Sequence, residues 1–153
     1  MRLLSRFIAT GAYTGYAPYV PGTVGTIPGV MLAPVFATLC AKSPLLYLAA
    51  LLASIAVAIW SANAVVAQEG LSDPQIVVVD EMVGYLVSMA FIPITAGTLF
   101  AAFVAFRVFD IVKPPPGRRL EYLPRGYGVV ADDLWAGILA QAVMRGLLFA
   151  GVI

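Results

Sequence analysis

The chain has 153 residues, 61% of them hydrophobic and only 11% charged, with a mean hydropathy of +0.95. That length suits one domain spanning residues 1–153, and that hydropathy excludes an ordinary soluble globule in favour of an all-α, membrane-embedded helical bundle. A net charge of +1 excludes the broad basic surface that nucleic-acid binding needs, and the absence of histidine leaves carboxylates, arginine, lysine and backbone groups to carry any chemistry.

The N-terminal stretch Arg2-Leu3-Leu4-Ser5-Arg6-Phe7-Ile8-Ala9-Thr10-Gly11 has a basic start but meets Thr10-Gly11 before a signal-sequence core can form. It predicts a short interfacial helix, not a cleaved leader. Five apolar segments follow, at residues 27–41, 45–66, 82–92, 98–109 and 134–153. Pro28 and Pro34 interrupt the first. The second alone spans a bilayer comfortably, because ~20 apolar residues cover ~30 Å. The third and fourth, separated by a turn at Pro93-Ile94-Thr95-Ala96-Gly97, are short enough to be a re-entrant or shielded pair. Cys40 lies within the first segment as a small packing residue, since a lone thiol without histidine has no activating base.

Polar stretches at residues 10–26, 69–81 and 110–133 alternate with pairs of apolar segments. Each pair goes out and returns, so all three stretches fall on one membrane face. Of the nine bases, Arg2, Arg6, Arg107, Lys113, Arg118, Arg119 and Arg125 lie on that face, which the positive-inside rule assigns to the cytoplasm. Pro114-Pro115-Pro116-Gly117 predicts a rigid, extended break that stops the fourth helix near Val112.

Charge is costly in so apolar a chain, and its placement is therefore informative. Asp80-Glu81 opens the third apolar segment and Asp132-Asp133 the fifth, with Asp110 between them. Acids at helix starts are stabilised by the helix dipole, and that alone accounts for one of each pair. Two such pairs on one face also form a divalent-cation site, where oxygen-only donors favour Mg²⁺ over zinc. Pro21-Gly22-Thr23-Val24-Gly25-Thr26 lacks the spacing of a Walker loop. It is either an ordinary loop or a cradle offering N–H and hydroxyl donors to phosphate from Pro21, Gly22, Thr23, Gly25 and Thr26. Arg107 and Asp110 are spaced to pair along a helix, as a structural ion pair or as part of a site in which Arg107 and Lys113 neutralise phosphate. Trp135, Tyr122 and Tyr127 fit interfacial anchors.

Together these words resemble the phosphatidylglycerophosphatase A family of bacterial lipid phosphatases. The resemblance rests on Gly15-Tyr16-Ala17-Pro18 with Pro21-Gly22-Thr23-Val24-Gly25-Thr26, on Asp73-Pro74 through Asp80-Glu81-Met82-Val83-Gly84, on Phe106 through Lys113-Pro114, and on Gly126-Tyr127-Gly128 through Asp132-Asp133-Leu134-Trp135-Ala136-Gly137. The chain departs from the family at Pro115-Pro116-Gly117 and at Arg125, which stands where a paired glycine is expected.

The resemblance implies a multi-pass protein of the bacterial inner membrane that removes the terminal phosphate of phosphatidylglycerophosphate with Mg²⁺. Asp80, Glu81, Asp132 and Asp133 would hold the metal, Asp110 would be a base or further ligand, and Arg107 and Lys113 would offset charge in the transition state. Without histidine, metal-assisted hydrolysis or an aspartyl-phosphate route remains. An ion-coupled transporter is the rival reading, but its acids belong at mid-bilayer. A CDP-alcohol phosphotransferase would space its aspartates differently.

Overall fold

In the computed structural model, which describes residues 2–153, the chain forms α1 (Arg2–Ala9), α2 (Pro21–Lys42), α3 (Pro44–Glu69), α4 (Val79–Ser88), α5 (Ala96–Val112), α6 (Gly117–Leu120) and α7 (Gly126–Phe149). A 3-10 turn at Thr14–Tyr16 precedes α2, and there is no strand among the described residues. The all-helical class read from composition therefore holds.

Two helices, α2 and α3, are long and apolar enough to cross a membrane. Only the second was expected to do so comfortably. The first gains length because the helix runs straight through Pro28 and Pro34 and begins at Pro21 rather than Ile27. Each proline removes one backbone donor, a loss that a helix supported by its neighbours tolerates. Ser43 and Pro44 make a tight junction between the two spans, with proline at the first helical position, and Gly70 ends α3 at φ 69°. Met31, Val35, Leu45, Leu52, Phe100 and Phe149 are exposed along the long helices, a surface that suits lipid better than water.

The short pair behaves as its length requires. At 1.5 Å per residue α4 is only about 15 Å long, and it is enclosed by α2, α3 and α7. Thr95 caps α5: its hydroxyl accepts from Thr98 N at 3.0 Å while its own N–H donates to Thr98 Oγ1 at 2.9 Å. That reciprocal box turns the predicted Pro93–Gly97 break into a defined helix start.

The crossing of α4 and α7 determines what the protein can do. A Cβ on Gly137 would lie 2.3 Å from the carbonyl oxygen of Gly84, and one on Gly84 would lie 2.7 Å from the carbonyl oxygen of Asp133. The two backbones thus touch where neither has a side chain. Gly84 follows Asp80 by one helical turn, and Gly137 follows Asp133 by one turn. Contact at the glycines therefore brings the two acidic pairs together.

Two expectations are corrected. The polar stretch 110–133 holds α6 and the first turns of α7. Asp132 and Asp133 consequently lie inside α7 and not at its opening, because Gly126 docks against α3 and starts the helix earlier. The proline run is a turn, not an extended break, with a cis bond between Pro115 and Pro116.

Candidate metal and phosphate site

All three polar stretches meet in one cavity of about 900 Å³ at the end of the bundle where α2, α4 and α7 start and α5 ends. Its walls come from residues 20–23, from Asp73, Asp80 and Glu81, from Arg107, Asp110 and Lys113, and from Glu121, Arg125, Asp132 and Asp133. The out-and-return pairing of the apolar segments is what brings these stretches to one end.

Asp80 and Glu81 occupy the first turn of α4, and Asp133 faces them across the glycine crossing. Each can offer one carboxylate oxygen, all within 4.8 Å of one another. Asp80 and Asp133 are buried, at 7% and 3% exposure. Carboxylates held this close and this dry repel one another unless a cation stands among them. Asp80 Oδ1 and Glu81 Oε2 are buried with no hydrogen-bond partner. Orphaned oxygens of this kind, with no nitrogen or sulfur donor beside them, suit a hard divalent cation. These acids fit a metal ion.

Asp132, expected among the metal ligands, is held at one oxygen only: its Oδ2 accepts from Lys113 Nζ at 2.6 Å, and Lys113 also donates to Glu121, while its buried Oδ1 has no hydrogen-bond partner. Burial pulls the Lys113 pKa down, but its hydrogen bonds to Asp132 and Glu121 outweigh that and hold it above the ordinary lysine value. Lys113 is the C-cap of α5, at φ 49°, where a positive charge meets the negative end of the helix dipole. Proline at position 114 disfavours a helical conformation there. On the cavity wall, desolvation lifts the Asp73 pKa; Lys113 opposes this, while Glu121 and Asp110 add to it.

Arg107 and Asp110 pair as their spacing predicts, with Nη1 2.6 Å from Oδ2, and Arg107 Nη1 also lies 3.8 Å from Glu81 Oε1. Arg107 Nε and Nη1 nevertheless lack hydrogen bonds of good geometry while buried. The guanidinium therefore keeps donors for an anion beside the metal acids. Gly22 makes the room: a Cβ there would lie 2.3 Å from Glu81 Oε1 and 3.1 Å from both terminal nitrogens of Arg107.

Of the predicted phosphate cradle, Pro21, Gly22 and Thr23 line the cavity. They form the first turn of α2 and not a loop. Gly25 and Thr26 do not line it. A Cβ on Gly25 would strike Val78 at the start of α4, so Gly25 serves the seating of α2 there, and the buried Thr26 hydroxyl is spent inside α2, donating to Gly22 O at 2.7 Å.

Two further residues escaped the sequence, and a third makes a contact the sequence did not show. Glu121 holds Lys113, with no periodic signal to mark it. Asn63 Oδ1 accepts from Gly126 N at 3.0 Å and anchors the start of α7; a lone amide within the apolar span is the trace it leaves in the sequence. Trp135, expected as an interfacial anchor, donates from Nε1 to Pro114 O at 3.2 Å and ties the end of α5 to α7.

The sequence profile of the family described as Phosphatidylglycerophosphatase A matches residues 7–148 of this chain. A curated protein of Bacteroides thetaiotaomicron, provisionally described as a phosphatidylinositol-3-phosphatase, is 37% identical over 136 residues, covering 86% of this chain and 85% of that protein. Phosphatidylglycerophosphatase A of Haemophilus influenzae is 33% identical over 144 residues, covering 93% and 87%. The Escherichia coli protein of the same name is 27% identical over 139 residues, covering 90% and 79%. No solved structure matches the chain significantly.

Proposed function

The chain belongs to the phosphatidylglycerophosphatase A family, and from that premise we propose that it removes the terminal phosphate of phosphatidylglycerophosphate, with Mg²⁺, at the cytoplasmic face of a bacterial inner membrane. The observation that carries the reading is the trio Asp80, Glu81 and Asp133 beside the unsatisfied guanidinium of Arg107. Metal-assisted phosphate hydrolysis needs a seat for a cation next to a seat for a phosphate, and these residues can supply both.

Asp80, Glu81 and Asp133 would hold the Mg²⁺, with Asp132 beside them holding Lys113. When bound, the ion polarises the phosphoryl oxygens and offsets their charge. Arg107 receives the terminal phosphate from one side and Lys113 from the other. The first turn of α2, with Gly22 and Thr23, adds the positive end of a helix dipole. Asp110, paired with Arg107, takes the proton from the attacking water. The water oxygen forms the new bond to phosphorus, the bond from phosphorus to the glycerol oxygen breaks, and a proton returns to that oxygen. Inorganic phosphate and phosphatidylglycerol leave. The cytoplasmic assignment is supported by the bases that crowd the site end, whereas Lys42 lies at the α2–α3 turn and Arg145 donates to Ala90 O at the far end.

Purified protein in detergent should release phosphate from phosphatidylglycerophosphate with Mg²⁺ and stop when EDTA is added. Metal-independent release, or none from a folded sample, overturns the proposal. Phosphatidylinositol 3-phosphate belongs in the same assay, because faster release from that lipid would move the substrate to the one named for the Bacteroides relative.

Gly22→Ala tests the cradle. Its methyl group must displace Glu81 or Arg107, and misplacing such groups by about 1 Å costs on the order of a hundredfold in rate. Helicity by circular dichroism should hold while turnover falls. A variant that turns over like the parent removes Gly22 from the site.

A further inference from the structure

The rim of the cavity carries a cation that no acid holds. Arg125 is exposed and lines the cavity, and among the described residues no ion pair or hydrogen bond engages its guanidinium. Its backbone sits at φ 57°, ψ −141°. A residue with a Cβ enters that region only at a cost, and persists there only where its surroundings over-determine it.

They do so here. Gly126 N donates to Asn63 Oδ1 at 3.0 Å, and Gly128 N donates to Arg125 O at 3.1 Å. A Cβ on Gly126 would lie 2.5 Å from the Asn63 backbone nitrogen, so the start of α7 is packed directly on the backbone of α3. Glycine at 125 would fit this backbone without strain. What the position carries beyond that is the guanidinium.

Arg107 and Lys113 lie inside the cavity and pair with acids there, while Arg125 pairs with none and stands beside Tyr122, Leu123 and Tyr127, all exposed. Aromatic and apolar side chains of this kind suit the depth at which lipid headgroups meet the acyl region. A planar guanidinium at that depth matches a phosphate that it can grip with two N–H groups. We propose that Arg125 is a specificity-determining residue that binds the bridging phosphodiester of the lipid, so that the site selects substrates with a terminal phosphomonoester and an internal diester. The inference rests on the substrate reading above and names which part of that substrate the rim recognises.

Parent, Arg125→Gly and Arg125→Lys are compared in neutral-detergent micelles with Mg²⁺ and phosphatidylglycerophosphate. Short-chain phosphatidylglycerol, which keeps only the diester, and inorganic phosphate serve as inhibitors. Losing one charge-assisted contact should raise KM for Arg125→Gly by about tenfold or more, with kcat changing far less. Inhibition by phosphatidylglycerol should weaken in step and inhibition by inorganic phosphate should hold, with Arg125→Lys in between. Relief of strain should raise the melting temperature of Arg125→Gly by roughly 2–4 °C.

A KM equal to the parent's, or equal weakening of both inhibitors, overturns the assignment. So does a KM rise that appears only when anionic lipid is added to the micelles, which would make Arg125 a contact to the membrane surface. A lowered melting temperature together with lost kcat overturns it too, by tracing the loss to the fold. If the parent itself releases no phosphate from this lipid, the substrate reading fails; an active parent with an indifferent Arg125→Gly fails the rim assignment alone.

Discussion

Asp133→Asn should lower phosphate release by on the order of 10²–10³-fold, the range seen when one group that stabilises charge in a transition state is removed, while the protein still folds. The buried Asp133 faces Asp80 and Glu81 across the α4–α7 crossing, so it sits where a shared cation must be held. Asparagine keeps the shape and one oxygen but removes the charge. Two melting experiments separate this from damage to the fold. Added Mg²⁺ should raise the melting temperature of the parent, because a ligand that binds only the folded state stabilises it, and that rise should shrink in Asp133→Asn. In EDTA the variant should melt no lower than the parent, since a neutral amide removes repulsion among three crowded acids. Asp80→Asn should behave alike. Turnover retained in both variants would take these residues out of the metal site.

Gly137→Ala should damage stability and turnover together. Its methyl group would lie 2.3 Å from the Gly84 carbonyl oxygen, which is backbone and cannot rotate away. Overpacking of this kind costs about 1–3 kcal/mol, and opening the crossing moves Asp80 and Glu81 away from Asp133. Because positioning errors of about 1 Å can cost a hundredfold in rate, turnover should fall further than the stability loss alone explains. Gly84→Ala, which meets Phe106 as well as the Asp133 carbonyl oxygen, should be at least as harmful. Gly146 lies on the same helix with nothing within 4 Å of a built Cβ, so Gly146→Ala is the control and should melt at or above the parent. If Gly137→Ala matches that control, the close crossing is not what assembles the acids.

Much of the site was legible before any coordinates. In a chain with 11% charged residues and no histidine, the acids at 80, 81, 110, 132 and 133 and the bases at 107 and 113 stood out because charge is expensive there. The alternation of polar stretches with paired apolar segments was enough to collect them at one end. Finer divisions were not legible. That Asp132 holds Lys113 depends on where α7 begins, and that start is anchored by Asn63 on a helix far away in sequence. Thr26 reads as a phosphate donor in a linear word, yet a helix starting at Pro21 turns its hydroxyl back onto Gly22.

The sequence by itself determined the class of the protein, the end of the bundle at which its chemistry lies and the kind of chemistry, because hydropathy, charge cost and missing side-chain types are properties of residues and need no partner. Only the tertiary structure decided which acids stand close enough to share a cation, which hydroxyls face the cavity and which arginine is left free at the rim. Those depend on how closely two backbones approach, and Gly84 against Gly137 permits a closeness that nothing in the order of residues along either helix reveals.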